Sequence, residues 1–141
     1  MDKDLNYLAL AQKAGYLVTG EENTGIAIRA GKARLVILAS DASENAKSRA
    51  RGFLYGKKAP LITMPRTKQE IAAVTGRGSC SMAAITDSGL ASVIAQVLSE
   101  RDSATYGQVA DFLTEKKQKE AQRKAEAKTH DRNKKMGRRK Q

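Results

Sequence analysis

Apolar positions along the first 40 residues alternate between a helical period and a strand period. Leu5 to Ala14 repeats at helical spacing and stops at Gly15, where glycine tolerates the left-handed conformation that ends helices. The segment "YLVT" predicts a short strand, and Gly20 to Ala30 predicts a second helix that ends at Gly31. The continuous apolar run in "ARLVILAS" predicts a strand that is buried on both faces.

The same alternation continues to residue 98. A third helix is predicted from a cap at Asp41 or Ser43 to about Lys58, followed by the strand "PLITM" and a short helix in "TKQEIAAVTG". The strand "CSMAAIT" and a helix from Ser88 to Leu98 complete the pattern. Strands interleaved with helices predict an α/β fold: a three-layer α/β/α sandwich with a short four-stranded mixed sheet.

The composition changes near Ser99, which divides the chain into a domain at 1–98 and a basic tail at 99–141. The domain holds 13 basic and 8 acidic residues, and the shorter tail holds 13 and 7. Tyr106, Val109 and Leu113 recur at helical spacing and are expected to dock one or two turns onto the domain. The last stretch has too little apolar surface to offset the entropy of ordering, so we expect it to be solvated and partly helical or disordered.

The charge balance points to a phosphate-bearing partner. Lys and Arg number 26 against 15 Asp and Glu, a net charge of +11 that favours nucleic acid over anionic lipid. With four Tyr, two Phe and no Trp, base stacking on aromatic platforms is disfavoured, and folded RNA recognised by shape is expected. No apolar run of about 18 residues occurs, and the acidic start is unlike a signal peptide, so we expect a cytoplasmic protein without membrane contact.

Catalytic and metal chemistry find little support. The loop "GEENTG" has the glycine spacing of a phosphate-binding loop but lacks the lysine that must follow it, since Ile26 and Ala27 stand there. The single histidine, His130, lies in the tail, and with the single Cys80 it cannot complete a four-ligand zinc site. We therefore predict no metal, no cofactor and no enzymatic activity.

Three features could face RNA, and each has a plainer interpretation. The start of the second helix offers N–H groups and polar side chains to a ligand, or its acidic residues simply complement the helix dipole. The loop "TGRGSC" sets an arginine between glycines, or is only a turn. Lys47, Arg51 and Lys58 share one side of the third helix, beside the apolar positions Ala46, Ala50 and Phe53, or form a solvated face.

The segments "LALAQKAGYLVTGEE", "AIRAGKARLVILASDASENAKSR", "KKAPLITM" and "CSMAAITDSGLA" together resemble the kink-turn-binding ribosomal protein family (the "L seven Ae" and "L thirty e" group). The resemblance is nearest to the bacterial YlxQ-like members. It covers nearly all of Leu5 to Leu98 and excludes the tail.

The resemblance implies a second helix whose N-terminus meets sheared G·A pairs of a kinked RNA, and a late loop that covers a flipped-out nucleotide. By position, Gly20, Glu22 and Asn23 match the family's glycine, asparagine and glutamate, with the last two in inverted order. Ile26 stands where the family has a phosphate-binding lysine; it lies either at the rim of the site or in the core with Ile28 and Leu35. The candidate RNA-binding residues are Gly20, Glu21, Glu22, Asn23, Ile26, Arg29, Lys47, Arg51, Arg77, Gly78, Ser79 and Cys80.

Three functions remain open. The leading hypothesis is a monomeric, non-enzymatic RNA-binding protein of the ribosome or another ribonucleoprotein, whose partner is structured RNA such as ribosomal RNA. The second is a protein-interaction module of the same fold, attached unspecifically to RNA through its tail. The third is a fragment of an RNA-modifying enzyme whose catalytic domain is a separate chain.

Overall fold

Six helices and four strands alternate along the part of the chain described by the computed structural model, residues 2–76 and 80–139, with side chains described as far as residue 128. The helices are α1 Lys3–Ala14, α2 Glu21–Arg29, α3 Glu44–Leu54, α4 Lys68–Thr75, α5 Ser88–Arg101 and α6 Ser103–Arg139. The strands are β1 Leu17–Thr19, β2 Leu35–Leu38, β3 Leu61–Thr63 and β4 Met82–Ile85.

The strands form one mixed sheet in the order β1-β4-β2-β3. β4 is antiparallel to both β1 and β2, whereas β3 pairs with β2 in parallel. The apolar run predicted to be a doubly buried strand is β2, and its four residues are at most 2% exposed. The mixed four-stranded sheet is therefore confirmed.

Helices cover both faces of this sheet. Because side chains of a strand point alternately to opposite faces, Leu35 and Ile37 pack in the core beneath α1, α4, α5 and α6. Val36 and Leu38 pack on the other side beneath α2 and α3. The three-layer α/β/α sandwich predicted from the sequence is confirmed.

The register defines two ends of the sheet. At the upper end β1 finishes and β4 begins, with Thr19 opposite Ala83 and Leu38 opposite Met82. At the lower end Ile85 lies opposite both Leu17 and Leu35. Helix α2 follows β1, so it begins at the upper end, and α5 follows β4, so it begins at the lower end.

Both ends of helix α3 can be compared with the prediction: its cap was left open between Asp41 and Ser43, and its end was placed near Lys58. Ser43 is its cap, since the Ser43 hydroxyl accepts a hydrogen bond from the Ala46 N–H at 3.1 Å, whereas Asp41 accepts one from the Lys68 N–H at 2.8 Å. The predicted extension to Lys58 is wrong. The helix ends at Leu54, and Gly56, with a φ of 74°, turns the chain away. Lys58 thus leaves the proposed row of three cations.

The first part of the tail packs against the domain. Tyr106 and Leu113 are buried and Val109 is partly buried against the same core, which confirms the predicted docking. The Tyr106 hydroxyl also donates a hydrogen bond to the Thr63 carbonyl at 2.6 Å, which places the start of α6 at the upper end. Residues 121–128 of the helix are exposed. The boundary near residue 98 remains a prediction.

A buried ion pair ties α1 to the segment between β3 and α4. The Asp4 side chain is 0% exposed, and Arg66 donates to both of its carboxylate oxygens at 2.9 Å. Arg66 also pairs with Asp2 at 3.1 Å and with Glu70 at 3.5 Å. Burial alone would raise the pKa of Asp4, but the hydrogen bonds and charge of Arg66 outweigh burial and hold it below its usual value.

This lowered pKa predicts a stability that depends on pH. An acid whose pKa is lower in the folded state stabilises the fold above its unfolded pKa, about 3.9, and loses that contribution as pH falls through the folded pKa. Asp4→Asn should therefore lower the free energy of unfolding at pH 7, and its deficit relative to wild type should shrink below about pH 4. Denaturant titrations between pH 3 and 7 test this. A deficit that is constant with pH would contradict the assignment.

Candidate nucleic-acid interface

Gly20 shapes the start of α2. Its φ of 93° and ψ of 156° are open to glycine and strained for other residues, and its N–H donates to the Met82 carbonyl at 2.9 Å. Helices α3, α4 and α5 are each capped by a side chain, but Gly20 has none to offer. Among the described residues, no atom outside Gly20 and its two chain neighbours lies within 4 Å of a Cβ built on Gly20, so this part of the structure leaves the space above it open. The first N–H groups of α2 can therefore receive an external acceptor.

The three polar residues after Gly20 have different surroundings. Glu21 forms an ion pair with Arg49 of α3. The Asn23 amide donates to the Thr19 carbonyl at 3.2 Å, which turns the side chain back toward the start of the helix. Glu22 is exposed. Because Glu21 is drawn aside by Arg49, Glu22 and Asn23 are the polar groups best placed to meet a ligand here.

Ile26 lies on the surface of α2, one turn beyond Glu22. Its side chain is 51% exposed, whereas the neighbouring Ala27 and Ile28 are buried. The alternative that Ile26 joins the core is therefore wrong, and the position can be changed without disturbing packing. Helices α2 and α3 pack closely at Gly25, since a Cβ there would lie 2.9 Å from the Phe53 ring.

The predicted cations of α2 and α3 are not gathered at the helix start. Arg29 lies in the last turn of α2, 5.9 Å from the centre of the Phe53 ring. On α3, Lys47 pairs with Glu44 at 3.3 Å, and Arg51 donates to Ser48 at 3.4 Å.

Among the residues that the structure describes, the cation that reaches the start of α2 is Arg49, which was not predicted from the sequence. Residues two apart on a helix do not share a face, so Lys47 and Arg51 point away from the side on which Arg49 meets Glu21. No local pattern distinguishes Arg49, because its partner is 28 positions away in the chain.

The flanks of the late loop, Gly76 and Cys80, are among the described residues. Arg77, Gly78 and Ser79 lie outside the described residues, so their predicted roles stay predictions. Cys80 is 2% exposed, and its thiol donates to the Met82 carbonyl at 3.4 Å. Because its side chain packs in the core, it cannot contact RNA, and we correct the prediction that Cys80 is an RNA-binding residue. Since Met82 also accepts from Gly20, the described flank of this loop lies at the upper end, beside α2.

The described residues offer neither a metal site nor a membrane-spanning helix. Within them, no group of three or more His, Cys, Asp or Glu side chains is arranged to hold a metal ion. None of the helices in the described part is both long and apolar enough to cross a membrane.

The fold and the open helix start define a class of small three-layer α/β/α proteins that offer a helix N-terminus at one end of a mixed sheet. Residues 3–95 match the family described as Ribosomal protein L7Ae/L30e/S12e/Gadd45, and the chain belongs to this family. The resemblance noted from the sequence is confirmed. Family membership also supports the prediction that the chain is not an enzyme. All of α6 lies beyond the matched range.

One sequence relative and two solved structures are similar to parts of the chain. The RNA-binding protein YlxQ of Enterococcus faecium is 49% identical over 49 residues, which are 35% of this chain and 48% of that protein, so the match spans about half of the relative. A protein of unknown function from Bacillus halodurans has a similar structure, with a TM-score of 0.63 and 28% identity over 68% of this chain and 96% of its own. The Giardia lamblia 15.5kD RNA binding protein shares the fold, with a TM-score of 0.55 and 19% identity over 68% and 82% of the two chains.

Proposed function

We propose that this protein is a non-enzymatic RNA-binding protein that recognises structured, kink-turn-like RNA through the start of α2 and the loop at 76–80. The observation that carries the proposal is the open N-terminus of α2, where Gly20 leaves N–H groups uncapped beside exposed Glu22 and Asn23. Family membership and the names of the E. faecium and G. lamblia proteins support RNA as the ligand. We place the protein in the cytoplasm as a monomer associated with ribosomal or other ribonucleoprotein RNA.

The side chains at the helix start suit base edges better than phosphates. An asparagine amide can pair with both the N6 and N7 groups of adenine, and a carboxylate accepts hydrogen bonds from base amino groups. Glu22 repels phosphate, so the backbone N–H groups of α2 and the late loop must supply the contacts that position the RNA backbone. This division fits an internal loop whose bases are splayed toward the protein.

Ile26→Lys tests this arrangement. A lysine there restores a cation one turn beyond Gly20 and should strengthen binding to kink-turn RNA by about 1 kcal/mol, with a larger gain at low salt. Because Ile26 is 51% exposed, the melting temperature should hardly change. Titration of the variant against kink-turn RNA and a plain duplex of equal length measures the effect.

Leu10→Lys is the matched control, since Leu10 is also 51% exposed but lies on α1. It adds the same charge away from α2, so it should raise affinity for both RNAs slightly and equally. Kink-turn affinity that is unchanged in the stable Ile26→Lys variant, or raised no more than in Leu10→Lys, would count against recognition through the helix start.

One observation favours the alternative of a protein-interaction module. Two carboxylates, Glu21 and Glu22, open α2, and an acidic helix start also suits a basic protein partner. In that case the chain would bind kink-turn and duplex RNA equally well. The ratio of the two affinities for the unchanged protein therefore separates the two functions.

A further inference from the structure

A groove lies at the lower end of the sheet, opposite the start of α2. It has a volume of about 220 Å³ and runs between α6 and the segments that precede β2 and β3. We call it the lower groove; its lining includes Arg34, Lys58, Pro60, Ser88, Lys116 and Glu120. The groove depends on α6, because Lys116 and Glu120 form one of its walls.

Cations continue from the lower groove on both sides of Arg34. Lys57 lines the adjoining depression on the α2 side, and Lys117 and Lys124 line the one beside the start of α5. Together with Arg34, Lys58 and Lys116 these make six cations, against the carboxylates of Asp87 and Glu120. Among the described residues, Lys57, Lys58, Lys117 and Lys124 have no ion-pair partner.

Glu120 lies within this positive surface, since it lines both the lower groove and the depression beside the start of α5. One of its carboxylate oxygens lies 3.4 Å from Arg34 Nε, and the other accepts a hydrogen bond from the Ser88 hydroxyl in the first turn of α5. An anion held by a guanidinium and a hydroxyl at a helix N-terminus is bound as a phosphate would be. The carboxylate thus marks a position where this protein accommodates an anion.

We propose that the lower groove is a second RNA-binding surface, which holds backbone phosphates without reading sequence and in which Glu120 occupies one anion position until RNA displaces it. The choice of RNA as ligand rests on the proposed function, but the surface is separate from the start of α2. The unpaired cations are all lysines, which are depleted at the centres of protein interfaces and serve well as phosphate contacts. The aromatic ring of Phe112 is covered by Lys116, whose ammonium lies 5.7 Å from its centre, so it does not offer a bare anchor to a protein partner.

The test is titration of the full chain with a plain RNA duplex at several salt concentrations. Lys58→Gln combined with Lys124→Gln removes one cation from each side of the groove. We expect affinity at low salt to fall at least fivefold and the slope of log affinity against log salt to decrease by about two. The control, Lys3→Gln combined with Lys119→Gln, removes the same charge from exposed positions of α1 and α6 that line neither the groove nor the two adjoining depressions, and should change affinity less than twofold. Equal losses in both variants would overturn the proposal.

Glu120→Gln tests whether the Glu120 carboxylate competes with RNA, and it should raise affinity where the lysine variants lower it. Removing the competing carboxylate should raise duplex affinity about threefold, whereas Glu115→Gln on the exposed side of the same helix should raise it much less. Equal gains from the two variants would show a net-charge effect only and overturn the proposal. Binding of a polyglutamate peptide that requires the groove lysines, without such a requirement for duplex RNA, would assign the surface to a protein and also overturn it.

These outcomes are separable from those for the start of α2. The groove variants alter absolute affinity for duplex RNA and should leave the preference for kink-turn over duplex unchanged. Failure of the proposed function appears instead as absence of that preference in the unchanged protein.

Discussion

Arg66→Ala is expected to lower the free energy of unfolding by about 3–5 kcal/mol, because it leaves the carboxylate of Asp4 buried without its partner. Asp4 is 0% exposed, and Arg66 supplies two hydrogen bonds of 2.9 Å to it. The contact also stabilises the charged form of Arg66, since the hydrogen bond to Asp4 raises the pKa of Arg66 further above its already high value. Denaturant unfolding at pH 7 measures the loss.

Two variants isolate the buried pair from its exposed neighbours. Asp2→Asn removes a partner whose side chain is 61% exposed, and it should cost less than about 1 kcal/mol. The double variant Asp4→Leu with Arg66→Met should recover much of the loss, because neither charge then remains buried alone. If the double variant were as unstable as the sum of Asp4→Leu and Arg66→Met, the two side chains would act independently and the ion pair would not explain the stability.

Local pattern was sufficient to predict the layers of the fold. The continuous apolar run of β2 gives a strand buried on both faces, and the helical spacing of Tyr106 and Leu113 gives the docked turn of α6. Both signals lie within a few residues of chain and depend only on which side chains must leave water. The predicted end of α3 lies four residues beyond the observed one. Helical spacing continues to Lys58, but the helix ends at Leu54 and Gly56 takes a left-handed conformation.

The ion pairs that stabilise the fold and shape the candidate site join distant parts of the chain. Arg66 meets Asp4 across 62 positions, and Arg49 meets Glu21 across 28. Neither pairing leaves a periodic trace in the sequence, since each is set by how helices pack on the sheet. The lower groove was missed for the same reason: its lysines are spread over the turn after α3 and over α6, and only the docking of α6 brings them near Arg34.

Gly20 couples the fold to the proposed RNA site, so Gly20→Ala should affect both. The φ of 93° and ψ of 156° are strained for a residue with a Cβ, and we expect a loss of about 1–3 kcal/mol in the free energy of unfolding. Within the described part of the chain, the new methyl group meets no atom within 4 Å apart from those of the adjoining residues, so we assign the loss to backbone strain and not to a clash. That methyl instead enters the open space above the first turn of α2. There it should weaken kink-turn binding by about tenfold, because the backbone N–H groups can no longer approach the RNA.

The matched control for this effect is Gly31→Ala. Gly31 also has a positive φ, 71°, and no described atom beyond its chain neighbours lies within 4 Å of a built Cβ, but it follows the last turn of α2, away from the proposed RNA contact. This substitution should destabilise the fold by about 1 kcal/mol and leave kink-turn affinity unchanged. Titrations are made at a temperature where both variants are folded, as judged by circular dichroism, so that lost binding is not lost structure. If Gly20→Ala bound kink-turn RNA as tightly as Gly31→Ala, close approach of RNA to the start of α2 would be ruled out, and the loop at 76–80 or the lower groove would have to account for binding.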